Sequence, residues 1–234
     1  MSHKQALKIG AVGAIAGGII GLVGNILHPR ESGTLDSTEA FLEEVSGSDI
    51  WVADHFALMI AVSLLLAAFY GLTHSITGES GTIWARFGWG AGIVGVALGL
   101  TLILSDALAI SELADTWADS TGAAKDLALA AGDAVTQINF ALFTGLMLFL
   151  FGAVPVLYGV AMLRSTDYAP WLGWVGVIFG LVNVAAGVIQ SFAGPADLTA
   201  FVMFPIGSIV ITLWIIYLGV LMWRRSTAVT APIN

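Results

Sequence analysis

The sequence predicts an all-α integral membrane protein with six transmembrane helices, and three observations lead to that class. Hydrophobic residues make up 58% of the 234-residue chain and charged residues only 10%, whereas soluble domains carry about a quarter charged residues. Several apolar runs reach the roughly 20 residues that a helix needs to cross the hydrocarbon core of a bilayer. The remaining charged residues gather at the ends of these runs and between them.

Six apolar segments are the predicted spans, and they form a single transmembrane domain over residues 1–234. Pro170 stands at the start of the fifth span, where its missing N–H costs no hydrogen bond. Pro155 and Pro205 fall inside the fourth and sixth spans and predict kinks there. The spans cover residues 9–28, 51–73, 87–106, 136–162, 171–191 and 201–223.

The distribution of charge predicts how the chain crosses the membrane. Basic residues flank one set of span ends, so the positive-inside rule places both termini in the cytoplasm of a multi-pass protein in the plasma membrane of a prokaryote. Acidic residues dominate the two long extracytoplasmic segments, 29–50 and 107–135. In the first of these, Ser37 or Thr38 precedes acidic and then apolar positions, which is typical of a capped surface helix. ISELADTWADS at 110–120 in the second could form another short helix. The flanking basic residues are Lys4, Lys8, Arg86, Arg164, Arg224 and Arg225.

Glycines recur at steps of three, four or seven residues in the odd-numbered spans, so each set lies along one helical face. Such small-residue faces let helix backbones approach closely in a bilayer. The spans also match as text: FGWGAGIVG at 87–95 with LGWVGVIFG at 172–180, and DHFAL at 54–58 with INFAL at 138–142. We therefore predict three helical hairpins repeated about a pseudo-threefold axis near the membrane normal.

Several classes of function are excluded by what the sequence lacks. The chain contains no cysteine, which excludes disulfides, thiol nucleophiles and cysteine-ligated metal sites. Its net charge is −8, so it has no basic footprint for nucleic acid. The glycines occupy helix faces and form no phosphate-binding loop, so we expect no nucleotide. No H-E-x-x-H or G-x-S-x-G signature is present, and we assign no enzyme class.

Polar residues gather at the predicted outer ends of the spans, whereas the middle of the bilayer contains no Asp, Glu, Lys, Arg or His. Eighteen residues, or five helical turns, beyond the first glycine of each odd span stand His28, Asp106 and Ser191. His55, Asn139 and Gln190 lie near the same level. Since a polar group in hydrocarbon is costly unless it is paired or faces a wet cavity, we predict a polar pocket between the helices, open to the outside.

The residue types at this level are suited to binding haem or a metal ion. Imidazole together with carboxylate suits zinc, iron or copper, and two histidines from neighbouring helices can hold the iron of a b-type haem. We predict His28 and His55 as ligands and Asp106 as a third ligand or a carboxylate that orients an imidazole, with Asp54 a further candidate. Asn139 and Gln190 are the expected orienting donors. Such a site would serve redox or ligand chemistry.

Other interpretations stay open at the level of sequence. Histidine at a helix end often does no more than bond a loop backbone. The chain could be a cofactor-free accessory subunit or assembly factor whose glycine faces pack against other membrane subunits or a second copy. A small-solute transporter is a further alternative, although Asn183, Pro155 and Pro205 are its only midplane candidates and none is ionisable.

The layout resembles the uncharacterised six-span membrane proteins of bacteria and archaea. The resemblance rests on LHPR at the end of the first span, the long outer segment after it, and APWLGWVGVIFGL at 169–181. It implies the six-helix fold and contact with the lipid bilayer, and it implies no activity.

Overall fold

The computed structural model describes residues 2–28, 37–194 and 198–227, and every regular element in these ranges is helical. Six of the continuous helices are long and apolar enough to cross a membrane. The prediction of a six-helix membrane protein is therefore confirmed. The direction in which the chain crosses the bilayer and the threefold repeat stay predictions.

The first spanning helix, α1 (His3–Leu27), begins six residues earlier than hydropathy predicts. Its start is fixed by a capping box, in which the Ser2 Oγ accepts from the Gln5 N–H and the Gln5 side chain accepts from the Ser2 N–H. This exchange satisfies backbone donors that a helix start otherwise leaves unpaired. Polar residues therefore extend the helix beyond its apolar run.

The short helix expected in the first outer segment is present as α2 (Thr38–Ser46). Ser37 caps it by accepting a hydrogen bond from the Ala40 N–H at 3.2 Å. The second spanning helix follows as α3 (Trp51–Ser75).

The third and fourth spans each belong to a continuous helix of 41 residues. The third comprises α4 (Glu79–Leu104), a π-helical segment (Ser105–Ile110) and α5 (Ser111–Asp119). The fourth comprises α6 (Ala123–Leu148), a second π-helical segment (Phe149–Ala153) and α7 (Val154–Leu163). Residues 107–135, predicted as an outer segment with a possible short helix at ISELADTWADS, are thus almost wholly helical, and α5 occupies that stretch. Their apolar residues are too sparse for a span, but some of them are buried in one cluster with residues of α2: Ile110, Ala114, Trp117 and Ala128.

The last two spans are α8 (Pro170–Ala193) and α9 (Phe204–Thr227), with a third π-helical segment (Leu198–Met203) before α9. Pro155 and Pro205, where we predict kinks, each stand close behind a π-helical segment.

A buried amide compensates for the hydrogen bond that Pro155 cannot donate. The Asn183 Nδ2 donates to the Phe151 carbonyl at 3.1 Å, four residues before that proline, and to the Phe179 carbonyl at 3.0 Å. Proline in a helix leaves the carbonyl of residue i−4 without its donor. The Nδ2 of Asn183, a midplane candidate of the transporter interpretation, therefore has structural partners, whereas its Oδ1 is buried without one among the described residues.

The spans pack as a ring in chain order. Each packs against the next along the chain, and α9 returns to pack against α1. The middle of the ring is filled by a buried apolar core that includes Phe69, Tyr158 and Trp214.

The glycine stripes allow close approaches within this ring. A Cβ on Gly10 would lie 2.5 Å from the Gly71 Cα, and one on Gly159 would lie 2.5 Å from the Gly173 carbonyl oxygen. These backbones touch, so any side chain at these positions would force the helices apart. The glycine faces that make these contacts are used inside the chain and are not open to a partner subunit.

A second apolar cluster covers the end of the bundle opposite the chain termini. We call residues 37–50 and 107–135, which provide most of it, the cap. Leu42 of α2 is fully buried against Gly132, and the Thr38 Oγ1 donates to the Asp133 Oδ1 at 3.0 Å. These contacts hold the parts of the cap together, and Phe41 packs it against Trp51 at the start of α3. The cluster comprises Phe41, Leu42, Val45, Trp51, Ile110, Ala114, Trp117 and Ala128.

Candidate functional site

Four helices bring polar side chains together beneath the cap. His28 is the C-cap residue of α1, and its N–H donates to the Gly24 carbonyl at 2.7 Å. Asp54 and His55 lie in the first two turns of α3, and both are buried. Asp106 lies in the π-helical segment after α4, and Asn139 lies in α6. His28, His55, Asp106 and Asn139 are thus brought into one cluster.

The π-helical segment sets the position of Asp106. An inserted residue in a helix changes the direction of the side chains beyond it, and such segments are frequent at functional sites. The Trp51 Nε1 donates to the Asp106 carbonyl at 3.0 Å and anchors this part of the helix to α3. The Asp106 side chain is 18% exposed, so it forms the more open edge of the cluster.

The His55 Nε2 has two ligand-type atoms as near neighbours. The His55 Nε2 lies 3.3 Å from the His28 Nε2 and 3.2 Å from the Asp106 Oδ2. The two imidazole rings are in edge contact, with centroids 4.8 Å apart. His55 is only 2% exposed, so its ring is surrounded by protein atoms.

The other nitrogen of His55 determines what the central nitrogen can do. The His55 Nδ1 donates to the Trp51 carbonyl at 2.7 Å, because a carbonyl can only accept. In the neutral imidazole the Nε2 is then an acceptor with a free lone pair. That lone pair faces the His28 nitrogen and the Asp106 carboxylate. The lone pair can accept a hydrogen bond from a proton on the His28 nitrogen or bind a cation.

Asp54, which lies on α3 next to α1, adds a second carboxylate to the cluster. Its Oδ2 is buried and has no hydrogen-bond partner among the described residues, and the whole residue is 7% exposed. Ligand atoms of His28, Asp54 and His55 all lie within 4.8 Å of one another. A Cβ on Gly24 would lie 2.7 Å from the Leu58 side chain and 3.6 Å from the Asp54 Oδ1. Glycine at this position therefore lets α1 close on the carboxylate.

Asn139 holds the Asp106 carboxylate from the opposite side. Its Nδ2 donates to the Asp106 Oδ1 at 3.3 Å, while its own Oδ1 is buried without a partner among the described residues. Buried polar atoms without partners are few in folded proteins and call for an explanation. Both Asp54 and Asn139 carry such atoms at the rim of one cluster.

Gln190 lies in a different network. Its Nε2 donates to the Thr144 Oγ1 at 2.9 Å, and its Oε1 accepts from the Thr199 Oγ1 at 3.4 Å. These bonds join α6, α8 and the π-helical segment before α9. The hydrogen bonds of Gln190 thus connect helices and do not run to the histidines.

Trp51 is the residue whose role the sequence did not indicate, since its place at a span end is typical of an interfacial anchor. It is instead 1% exposed, and its ring lies 4.5 Å from that of His55 and 5.3 Å from that of His28. Its carbonyl and indole N–H bind His55 and Asp106. The four-residue spacing from Trp51 to His55 is the only signal in the sequence that could have suggested this contact.

The comparisons place the chain in a family. A family model described as "Domain of unknown function (DUF4386)" matches residues 10–220. The match covers most of the chain, so the protein belongs to this family, which agrees with the resemblance to uncharacterised membrane proteins. No curated protein and no solved structure matches the chain.

Proposed function

We propose that this member of the DUF4386 family binds one divalent transition-metal ion through His28, His55 and Asp106, with Asp54 as a further ligand. The observation that carries the proposal is the cluster of ligand atoms around the His55 Nε2. Ligand atoms of His28, Asp54 and His55 all lie within 4.8 Å of one another, and the Asp106 Oδ2 lies 3.2 Å from the His55 Nε2. Zinc, iron and copper all accept nitrogen and oxygen ligands of these types.

The separations agree with ligands that share one ion. Two atoms bound to zinc at about 2.0–2.1 Å in tetrahedral geometry stand about 3.3 Å apart. Both separations at the His55 Nε2 are close to this value. These two pairs of ligand atoms therefore have the spacing of neighbouring ligands of one ion.

The same spacing favours an ion over haem. Nitrogens on opposite faces of a haem iron would stand roughly 4 Å apart, with the macrocycle between the rings. Here the imidazoles touch each other, with centroids 4.8 Å apart. A flat macrocycle between them would require α1 and α3 to separate.

The charges of the site support a divalent cation. Asp54 and Asp106 bring two carboxylates into a largely buried cluster, and a buried charge without compensation is costly. One divalent ion with two neutral imidazoles and two carboxylates is neutral overall. It would also give the Asp54 Oδ2 the partner that the protein does not provide.

Hydrogen bonds around the ligands are those that metal sites use to orient them. The Trp51 carbonyl accepts from the His55 Nδ1, and the Asn139 amide donates to Asp106. Such contacts select the imidazole tautomer and hold the carboxylate in place. We place the site on the extracytoplasmic side of the plasma membrane, supported by the positive-inside distribution of charge, where it would serve redox or ligand chemistry.

The proposal is tested by the metal content of the purified protein after loading with zinc, iron or copper and removal of excess ion. We expect about one ion per chain, lost in His28→Ala and in His55→Ala. The matched control is His74→Ala, because His74 lies on α3 like His55. The His74 Nδ1 donates to the Tyr70 carbonyl at 2.8 Å and the two rings lie 4.2 Å apart, which repeats the contact between His55 and Trp51.

Two outcomes would contradict the proposal. The first is a loaded protein without a stoichiometric ion, and the second is full retention of the ion in both cluster variants. A Soret absorption band lost in the cluster variants but not in His74→Ala would replace the ion with haem. Thermal unfolding of the metal-free variants shows whether each one folds.

A further inference from the structure

The surface above the site carries a strong negative charge. The cap contains nine acidic residues and one basic residue, Lys125. Eight of the nine acidic side chains are exposed, whereas Lys125 lies against the Trp117 ring at 3.8 Å. The acidic residues are Glu39, Glu43, Glu44, Asp49, Glu112, Asp115, Asp119, Asp126 and Asp133.

The opposite end of the bundle has the reverse charge. Basic residues flank the span ends there, and Glu79 and Asp167 are its acidic residues in the described ranges. The negative field is therefore concentrated on one end of the molecule, the end that holds the histidine and aspartate cluster.

A second observation beneath this surface points to a cation. The Asp54 Oδ2 is buried without a partner among the described residues, next to His28 and His55. Within the cluster, Asp106 is 18% exposed and His28 is half-buried. The cluster therefore has partly exposed side chains at the end of the bundle that carries the acidic surface.

We propose that the cap is a cation-collecting surface that steers hydrated divalent metal ions from solution to the site, an inference that rests on the proposed function. Summed charges of one sign raise the local concentration of oppositely charged ligands and raise association rates by about 10- to 1,000-fold. Exposed charges act over roughly 10 Å at 0.1 M salt and over about 30 Å at 0.01 M. The cap therefore increases the rate of ion entry at low salt. Dissociation depends on the ligands and is unchanged.

The experiment measures the rate at which Zn²⁺ binds to the metal-free full chain in an uncharged detergent. Trp51, which touches both histidine rings, provides a fluorescence signal. Wild type is compared with a variant that carries Glu39→Gln, Glu43→Gln, Glu112→Gln and Asp115→Asn. We expect the association rate to fall at least about 5-fold at 10 mM salt and the difference to shrink below about 2-fold at 500 mM.

Single substitutions provide the matched control. Glu39→Gln removes one exposed charge from the cap, and Glu79→Gln removes one from the other end. Only the first is expected to slow association at low salt. Since the altered side chains are exposed, thermal unfolding and the number of bound ions should stay as in wild type.

The outcomes separate the two proposals. Binding of one ion at an unchanged rate in the four-residue variant overturns the steering role and leaves the metal site standing. Equal slowing by Glu79→Gln also overturns it, because position on the cap would then not matter. Failure of the wild type to bind Zn²⁺ overturns the proposed function itself.

Discussion

The two ends of the bundle both bury polar side chains, but they treat them differently. At the end that holds the chain termini, the Tyr168 hydroxyl lies 2.5 Å from the Ser75 Oγ, and the Arg225 guanidinium lies 4.1 Å from the Tyr168 ring. The Asp167 carboxylate accepts from the Thr77 N–H at 2.6 Å, and the Asp167 carbonyl accepts from Arg225. Each polar group described in this network has a partner within the chain.

The capped end leaves polar atoms without protein partners. Asp54 and Asn139 each carry one such oxygen. A network that closes on itself stabilises the packing of helices, whereas buried atoms left unpaired call for a further partner, which we propose is the metal ion. Burial of polar residues alone does not distinguish the two.

The largest difference between the two ends is expected in the metal affinity and the stability of variants at Asp54 and Asp167. Asp54→Asn removes a proposed ligand and should weaken metal affinity by roughly 100-fold, as measured by competition with a chelating dye. It should not lower the stability of the metal-free protein, because it removes a buried charge without a partner.

Asp167→Asn at the other end should do the reverse. It should leave the metal affinity as in wild type and lower the free energy of unfolding by about 1–3 kcal/mol, because the hydrogen bonds from Thr77 lose a charged acceptor. If the Asp54→Asn variant bound the metal ion with wild-type affinity, Asp54 would not be a ligand.

Trp51 and Trp214 provide a second comparison between the two ends, with a smaller expected change in metal affinity. The Trp51 and Trp214 indoles each donate to a backbone carbonyl, of Asp106 at 3.0 Å and of Leu172 at 2.9 Å. Trp51→Phe should weaken metal affinity about 10-fold, because Asp106 loses its anchor to α3. Trp214→Phe should lower the free energy of unfolding and leave the metal affinity as in wild type. Equal metal affinities in the two variants, measured by the same dye competition, would show that Trp51 does not position the ligands.

The smallest effect is expected for the tyrosine of the closed network. Burial, opposed by the hydrogen bond with Ser75 and by the charge of Arg225, raises the pKa of the Tyr168 phenol. The unfolded chain ionises first, near the ordinary value of about 10. The stability contributed by the neutral phenol is therefore present below that pH and is lost as pH rises towards the native pKa.

Tyr168→Phe tests this contribution. It should lower the free energy of unfolding by about 0.5–1.5 kcal/mol at neutral pH and make the loss above pH about 10 less steep. Thermal unfolding between neutral and alkaline pH measures both effects, with the exposed Tyr217→Phe as control. A steepness equal to that of wild type would show that Tyr168 does not contribute.

The sequence predicts most of the fold because a bilayer imposes a simple rule on it. A spanning helix must be apolar over a known length, so the six spans can be read from composition along the chain. The capped helix α2 could also be predicted, because Ser37 acts on neighbours three residues away. Outside the bilayer that rule does not apply, and the helices in residues 107–135 depend on apolar faces that pack against α2.

The site could be predicted only in part. Consecutive spans must meet at one end, so topology places His28 near His55. The position of Asp106 depends on a π-helical segment, and the partners of Gln190 depend on the helices that pack beside it. These are properties of the assembled bundle, and no local pattern encodes them.

The two 41-residue helices are longer than the bilayer is thick. At 1.5 Å per residue each is about 60 Å long, whereas a bilayer with its headgroups is about 40–45 Å thick. The two helices are therefore long enough to continue beyond the lipid into the cap, where residues 120–122 join them. Asp106 lies in the first of them, in the π-helical segment between α4 and α5.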